Sequence, residues 1–317
     1  MTLPSSTTIQ NLSRSKLIRG YFPGGQLGTL IRKMRFEVYA ETGQQIIFNR
    51  KNTAPTPVPY NAGGTLTAAP LETTKTTLTM QRMGAQLEID IADALTSTDA
   101  NDQLATQIQA LKVEQIRKLL EQICTGSGVA PNINGFAAAT DATFTIGAGN
   151  GNVNGAPPTI EDVARLVGLV TASDGFVGAG ADCLAGTEKA GRILFMLMRA
   201  ANQTVIFRWD ADLGAPVMLF MGRPVYIGPF ATDESKGAGT DLTSIYAFKL
   251  NGPTGLRVGY APMNGSTDPW GILTYLIADQ LGIGKRGAGV LGFYQMVYPE
   301  LASIARLDGC DLSQLDG

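Results

Sequence analysis

The segment between Lys75 and Gly135 most constrains the fold, because strand, helix and turn signals follow one another in it without a gap. Its first part, KTTLTMQRMGAQLEIDI, alternates apolar and polar residues with the period of a β-strand. The next part repeats apolar residues at helical spacing, and the last part, TGSGVAPNING, is rich in Gly and Asn. The segment therefore predicts a long strand, a long helix and a tight exit.

The parity of the apolar residues changes within the predicted strand. Leu78 and Met80 have one parity, whereas the residues after Gly84 have the other: Ala85, Leu87, Ile89 and Ile91. A β-bulge at Gly84 would shift the phase and keep both sets on one side of a long, bent strand. Glu88 and Asp90 then form the solvent-exposed face, and we do not interpret them as metal-binding or acid–base carboxylates.

The predicted helix covers residues 99–124. Asp99 is its expected N-cap, and Asp102 completes an acidic variant of the capping box. Gly126 follows the last turn, where a left-handed residue commonly ends a helix. The apolar residues at helical spacing define one buried face, made of Leu104, Ile108, Leu111, Ile116, Leu119, Leu120 and Ile123.

Residues 36–91 together predict a protruding β-hairpin. Its tip is the linker TAPTPVPYNAGGTLTAAP, which cannot form a helix or a central strand because of its prolines. A lone two-stranded ribbon is marginally stable in water, so a long one suggests that another subunit covers it. A hairpin that packs within its own domain stays open as the alternative.

The charge distribution is asymmetric although the formal net charge is only −2. Residues 1–51 hold eight basic and two acidic side chains, so that this part carries +6 and the remainder −8. A basic arm can touch nucleic acid, or it can dock on the acidic surface of a neighbouring copy. We favour the second interpretation, because the bases are dispersed and no nucleic-acid-binding motif accompanies them.

Composition excludes several classes of function. The chain has no histidine, which excludes a histidine-dependent hydrolase triad and a histidine-ligated metal. Cys124, Cys183 and Cys310 stand far apart, which favours buried apolar thiols in a reducing compartment over a disulfide or a metal site. No stretch reaches the roughly 18 apolar residues of a membrane span, so we expect no membrane partner. The sequence motifs likewise indicate no cofactor.

The second half of the chain predicts mixed α and β structure around a sheet. Ala137 to Pro158 is interpreted as a surface loop and a candidate domain boundary, since it is rich in Gly and Asn and lacks the G-K-[ST] ending of a phosphate loop. Helices are expected in PPTIEDVARLVGLVTAS and GTEKAGRILFMLMRAANQ. LGAPVMLFMGRPVYIGPF, TSIYAFKL, GLRVGYAP and the C-terminal VLGFYQMVYPELASIARLDG are β-rich.

This order of elements resembles the major capsid proteins of tailed double-stranded-DNA bacteriophages, the Hong Kong 97-like capsid fold. The phrase LGAPVMLFMGRPVYIG is similar to the family's hairpin at Gly222, Pro224 and Val225. The resemblance implies an α+β fold with an N-terminal arm at 1–33 and an extended loop with flanking strands at 34–91. It further implies a peripheral domain at 92–156 with its spine helix at 99–124, an axial domain at 157–270, a returning peripheral strand at 271–300 and a C-terminal axial segment at 301–317.

The resemblance also implies the function. Such a protein self-assembles into hexamers and pentamers, which form the icosahedral head around double-stranded DNA. Expected partners are further copies of the chain, a portal, separate scaffolding or decoration proteins, and packaged DNA bound non-specifically. No long scaffolding segment precedes the arm, which implies a separate scaffolding protein or none. Lys51 lies near the place of a cross-linking lysine in some members, but covalent cross-links are not predicted.

The candidate intersubunit contacts are the basic arm and loop residues and two aromatic residues near turns: Arg14, Lys16, Arg19, Arg50, Lys51, Tyr60 and Trp209. We expect no catalytic, cofactor-binding or metal-ligating residue, and assembly of the capsid in the host cytoplasm. Two other functions stay open. An encapsulin-like nanocompartment would keep the fold and enclose a cargo enzyme, and a small-molecule enzyme would use a mixed α/β core.

Overall fold

The computed structural model describes residues 30, 33–38, 45–53, 72–90, 100–170, 180–211, 214–228, 234–250, 255–261, 272–277 and 285–312. Several predicted features lie outside these ranges. They are the arm residues Arg14, Lys16 and Arg19, the loop tip with Tyr60, and the helix cap Asp99.

The described elements are five α-helices, two short 3-10 helices (Ala142–Phe144 and Leu301–Ser303) and fifteen strands. The helices are α1 (Ala100–Thr125), α2 (Phe136–Ala139), α3 (Ala148–Gly151), α4 (Ile160–Leu169) and α5 (Glu188–Ala200). The strands up to residue 210 are β1 (Arg35–Val38), β2 (Gln45–Thr53), β3 (Glu72–Thr79), β4 (Gln81–Asp90), β5 (Thr145–Gly147), β6 (Cys183–Gly186) and β7 (Ile206–Asp210). The later strands are β8 (Ala215–Phe220), β9 (Arg223–Ile227), β10 (Glu234–Lys236), β11 (Gly239–Phe248), β12 (Arg257–Tyr260), β13 (Leu273–Ile277), β14 (Lys285–Val297) and β15 (Ile304–Cys310).

Helix α1 confirms the predicted long helix, with both ends one residue later than expected. Its apolar stripe packs on β4 and β14 of a five-stranded sheet, in which β1, β12, β14 and β13 are successive neighbours and β4 also pairs with β14. Ile108, Ile116, Leu119, Leu120 and Ile123 are buried, as their spacing predicts. Lys112 and Gln115 are also buried on this helix, which the apolar pattern did not indicate.

The predicted β-bulge at Gly84 is wrong. Strand β4 pairs with β14 in unbroken register from Gln81 to Asp90, and the change of parity falls at Met80, between β3 and β4. Gly84 has a different role, because a Cβ there would lie 2.7 Å from the carbonyl oxygen of Val290. The residue therefore permits close approach of β14 and does not shift the phase of the strand.

Gly126 ends helix α1 for a reason other than the one predicted. Its backbone is not among the left-handed glycines of the described chain. Instead, it lies against Gly135, whose amide donates a hydrogen bond to the Gly126 carbonyl oxygen at 2.8 Å. A Cβ on Gly135 would lie 2.4 Å from the Gly126 nitrogen, so the exit from the helix closes through the contact of two glycines.

The second sheet has eight described strands, of which β5, β15, β11, β6, β9, β8 and β7 are successive neighbours. Helices α4 and α5 pack on one face and bury Leu166 and Ile193 against Leu184 and Leu307. Both helices have threonine N-caps, and Thr159 of α4 forms a complete capping box with Asp162. The prediction of two helices in this part of the chain is confirmed.

The other face of the eight-stranded sheet belongs to a core shared with the five-stranded sheet. Phe136 lies between the two sheets, with its ring centroid 4.5 Å from that of Phe248, and Tyr246 stacks beside Phe248 at 6.1 Å. Leu120 of α1 and Met296 of β14 belong to the same buried cluster. One apolar core therefore joins both sheets.

The segment 137–158 differs from its prediction as a surface loop. Strand β5 pairs in parallel with β15, and Ala148 of α3 is fully buried against the α4 side of the sheet. The small residues of this segment suit close packing as well as exposure, which explains why composition misled the interpretation. The α+β fold class is confirmed. The predicted domain bounds stay a prediction, and β12 of the segment 157–270 pairs in the five-stranded sheet.

Candidate assembly surfaces

Strands β2 and β3 form a separate two-stranded ribbon with one partly covered and one open face. They pair in antiparallel register from Gln45 opposite Thr79 to Thr53 opposite Glu72. One face carries Phe48 and Leu78, which are half-buried. The other face carries exposed side chains, which are Gln45, Ile47, Asn49, Lys75, Thr77 and Thr79. The predicted hairpin therefore exists as this ribbon, whereas β1 joins the five-stranded sheet.

The root of the ribbon is fixed to the body of the subunit. Ile46 and Met80 are buried against Val297 of β14. Gln295, also buried, donates from its Nε2 to the Thr79 carbonyl oxygen at 2.9 Å and accepts at its Oε1 from the Asn134 amide at 2.9 Å. The residues around Gln295 do not predict this role, because nothing in their local pattern shows that the side chain bridges two distant segments.

The basic residues of the loop lie towards the far end of this ribbon. Arg50 and Lys51 stand opposite Thr74 and Thr73 in the register of β2 and β3. Only the backbone positions of these two basic residues are described, and they place both on the ribbon beyond its buried root. Trp209 lies elsewhere, on β7 of the eight-stranded sheet. The structure therefore does not bring the described candidate contact residues together at one site.

Trp209 lies on an apolar face of the β7–β8 hairpin. Trp209 stands opposite Pro216 and Phe207 opposite Met218, so that these four side chains share one face. Trp209 is 64% exposed and Phe207 is 57% exposed. An aromatic pair this exposed on neighbouring positions is unusual for the surface of a subunit that functions alone.

A groove of about 370 Å³ continues this face towards helix α5. Phe195 and Met196 of the helix line one side of it, and Phe207 and Met218 line the hairpin side. Arg199, which also lines it, lies with its guanidinium 6.0 Å from the centre of the Phe195 ring. The apolar face and the groove form one continuous surface, here called the hairpin surface.

A cluster of polar side chains lies at Asp210, on the opposite face of the hairpin. Lys33 donates from its Nζ to Asp210 Oδ2 at 2.6 Å and to the Tyr226 hydroxyl at 2.8 Å. The Tyr226 hydroxyl in turn donates to Asp210 Oδ2 at 3.0 Å. Burial raises the pKa of Tyr226 to about 12, against the opposing effect of Lys33. Burial alone would lower the pKa of Lys33, but its hydrogen bonds to Asp210 and Tyr226 raise it.

Among the described residues, no group of three or more His, Cys, Asp or Glu side chains could hold a metal ion. The three cysteines are free and buried, and burial raises the pKa of each thiol, which disfavours the nucleophilic thiolate. Among the described helices, none is long and apolar enough to cross a membrane.

Sequence comparison finds no relative, since no protein-family model matches and no curated protein is similar. Comparison with solved structures, in contrast, finds proteins of similar fold. The encapsulin of the holo-SrpI complex from Synechococcus elongatus PCC 7942 aligns with 99% of this chain and 92% of its own, at a TM-score of 0.69 and 12% identity. The capsid protein of cyanophage A-1(L) aligns with 91% of this chain and 93% of its own, at 0.65 and 15%. The capsid of a native GTA particle covers 90% and 91%, at 0.57 and 13%.

The chain has the Hong Kong 97-like capsid fold. The similarity extends over both sheets and is not confined to one of them, because each comparison covers nine-tenths or more of the chain. In this fold the ribbon and the hairpin surface both carry apolar side chains that the subunit itself leaves uncovered. Exposed Ile47 lies on the first, and exposed Phe207 and Trp209 lie on the second.

Proposed function

We propose that this chain is the major capsid protein of a tailed double-stranded-DNA bacteriophage. It self-assembles into hexamers and pentamers, which build the icosahedral head around the DNA. The observation that carries the proposal is the similarity of the whole fold, over 90% or more of the chain, to proteins that form closed shells. The absence of histidine and the buried thiols support a structural role without catalysis.

The proposed contacts between copies follow from the uncovered surfaces. The ribbon with Arg50 and Lys51, and Trp209 on the hairpin surface, contact neighbouring copies, as do the arm and loop residues Arg14, Lys16, Arg19 and Tyr60. A head-to-tail contact between copies forms a closed ring when repeated rotation from copy to copy returns to the first copy. Hexamers and pentamers are rings of this kind. Contacts spread over several such surfaces bury more area than one standard interface of roughly 1,600 Å².

Further parts of the proposal concern partners and place. We propose a portal and separate scaffolding or decoration proteins as partners, with the packaged DNA bound non-specifically. The protein acts in the capsid of the virion, and its assembly takes place in the host cytoplasm.

The second candidate is the shell of an encapsulin-like nanocompartment. It is favoured by one observation, which is that the encapsulin from Synechococcus elongatus PCC 7942 aligns with 99% of the chain. Such a shell would enclose a cargo protein instead of DNA. The two functions share the fold and the contacts between copies, so that only the contents and the size of the shell distinguish them.

Electron microscopy of the chain expressed alone, after a sizing column, tests the proposal. Closed shells, sheets or ring-shaped capsomers are the expected result. Packaged nucleic acid and a large diameter would support the phage head, whereas small uniform shells that enclose protein would support the nanocompartment. A chain that stays monomeric, also with candidate scaffolding protein, would overturn both.

A single substitution tests the contact at Trp209. Trp209→Ser should leave the subunit folded, because the side chain is 64% exposed, and it should reduce the yield of shells strongly. Val153→Ser is the matched control, since Val153 is 72% exposed and lies away from the hairpin surface. Equal yields of shells from wild type and Trp209→Ser would show that Trp209 is not a contact between copies.

A further inference from the structure

We propose that Lys33, Asp210 and Tyr226 form a clasp that holds the β7–β8 hairpin in the position in which its apolar face can meet a neighbouring copy. The first half of this inference concerns the subunit alone. The second half rests on the proposed function. None of these three residues was singled out by the sequence, since they are 16 to 193 positions apart.

The clasp is a closed triangle of hydrogen bonds. Lys33 donates to both partners, and Tyr226 donates to the carboxylate that Lys33 also contacts. The Asp210 side chain is only 11% exposed and that of Lys33 is 32% exposed, so the charges are partly shielded from water. Removal of Lys33 would take away a countercharge that lies 2.6 Å from a nearly buried carboxylate, which is more costly than the loss of an exposed ion pair.

Asp210 lies at the turn end of the hairpin, so the clasp acts on that end. Asp210 is the last residue of β7, where the turn of the hairpin begins, and its carbonyl oxygen accepts from the Gly214 amide at 2.8 Å. Within the described sheet, β7 pairs with β8, and β8 pairs with β9 only through Leu219 and Phe220 at the opposite end. The turn end of the hairpin therefore depends on side-chain contacts, and the clasp supplies a charged contact there.

The clasp and the hairpin surface lie on opposite faces of the same two strands. Arg208 stands opposite Val217, which is buried in the core shared by both sheets, and Asp210 follows on the same face. Phe207 and Trp209 alternate with these residues and point to the other side. A clasp that holds the face with Asp210 therefore also fixes the position of Phe207 and Trp209 on the opposite face.

The clasp also joins two regions with predicted contacts to other subunits. Lys33 is the last residue of the predicted arm and stands two positions before β1, which belongs to the five-stranded sheet. Asp210 and Tyr226 belong to the eight-stranded sheet. An arm that engages a neighbouring copy would thus act on the hairpin of its own subunit through Lys33.

Hydrogen exchange on the full chain tests the first half. Lys33→Met keeps the length of the side chain and removes the charge, and the amides of β7 and β8 should then exchange about tenfold faster while those of β11 keep their rates. The matched control is Lys236→Met. Lys236 forms a comparable ion pair with Asp308 at 2.8 Å, with 29% and 22% exposure, on the same sheet but away from the hairpin. Unchanged exchange in β7 and β8 of Lys33→Met would overturn the clasp.

A second variant keeps the test valid if Lys33→Met folds poorly. Tyr226→Phe removes only the hydroxyl, and it should raise the exchange of the same amides by a smaller factor, about threefold. In the double variant the two effects should not multiply, because both substitutions break the same triangle. Independent, multiplicative effects would show that the three side chains do not act as one unit.

The yield of shells tests the second half. If wild type forms shells and Lys33→Met forms few while Lys236→Met forms as many as wild type, the clasp positions the hairpin for assembly. If Lys33→Met shows faster exchange and a full yield of shells, the role in assembly is overturned although the clasp exists. If wild type forms no shells, the proposed function fails, whereas hydrogen exchange still decides whether the clasp holds the hairpin.

Discussion

The eight-stranded sheet and the β2–β3 ribbon differ in how much of their surface the subunit itself buries. The central strands β6 and β11 of the sheet are covered on both faces, by α4 and α5 on one side and by the shared core on the other. The ribbon has half-buried Phe48 and Leu78 on one face and exposed residues on the other. The sheet is therefore stabilised within its own subunit. Only the root of the ribbon is buried in the subunit, and the rest of its surface is available to a neighbour.

Phe248→Ala and Phe48→Ala form the pair that tests this comparison most strongly. Phe248 is fully buried between the two sheets, so its truncation should lower the free energy of unfolding by about 4 kcal/mol. Phe48 is only half-buried on the ribbon, and its truncation should cost about 1 kcal/mol. Urea denaturation of the unassembled protein measures both. Equal losses would show that the ribbon is as integrated into the subunit as the sheet.

Alkaline pH should destabilise the sheet and α1 and not the ribbon. Cys124, Cys183 and Cys310 lie in α1, β6 and β15, and burial raises the pKa of each thiol above its ordinary value of 9.0. Above this pH the unfolded chain loses thiol protons that the folded chain retains, so the free energy of unfolding falls. The loss is at most about 1.4 kcal/mol per pH unit for each thiol.

Chemical denaturation in reducing buffer, at a series of pH values from neutral upwards, measures this slope. Cys310→Ala removes one of the three thiols and should make the decline shallower by one thiol's share. The raised pKa of Tyr226, about 12, adds a further decline above pH 10.0, the ordinary pKa of tyrosine. A free energy of unfolding that is constant across pH 9.0 would contradict the prediction.

A smaller effect is expected from the cap of α4. Thr159→Ala removes the hydroxyl that accepts from the Asp162 amide at 3.1 Å and should cost about 1 kcal/mol. Thr77→Ala on the exposed face of the ribbon is the matched control, and it should change the free energy of unfolding by less than about 0.5 kcal/mol. Thermal unfolding of both variants decides, and a silent Thr159→Ala would show that tertiary packing alone holds α4 in place.

Ile47→Lys should have the smallest effect on the stability of the subunit and a large effect on assembly. Ile47→Lys places a charge on the open face of the ribbon, where Ile47 is 41% exposed, and should change the free energy of unfolding by less than about 0.5 kcal/mol. The yield of shells should fall, because the charge must be buried against the neighbour. Val129→Lys, at a position 70% exposed after α1, is the control for the added charge. Normal shells from Ile47→Lys would exclude this face as an interface.

The predicted elements that the structure confirms have strong local signals. Helix α1 follows from its apolar spacing, and α4 follows from Thr159 and the acidic first turn. The phase of β4 was misassigned at Gly84, because alternation shows that a shift occurs but not which partner strand causes it. Of the candidate contacts, Trp209 is exposed on β7, Arg50 and Lys51 lie on the ribbon, and all of them stay predictions.

The sequence by itself determined helices α1, α4 and α5, the alternation of β4 and the exclusion of histidine chemistry, because each depends on residues close in the chain or on composition alone. Only the tertiary structure decided that β1 pairs in parallel with β12, that Gln295 fixes the root of the ribbon and that Lys33 reaches Asp210. These contacts join residues more than 170 positions apart. Their energy exists only once the two sheets have packed on a common core, and no local pattern of residues reports it in advance.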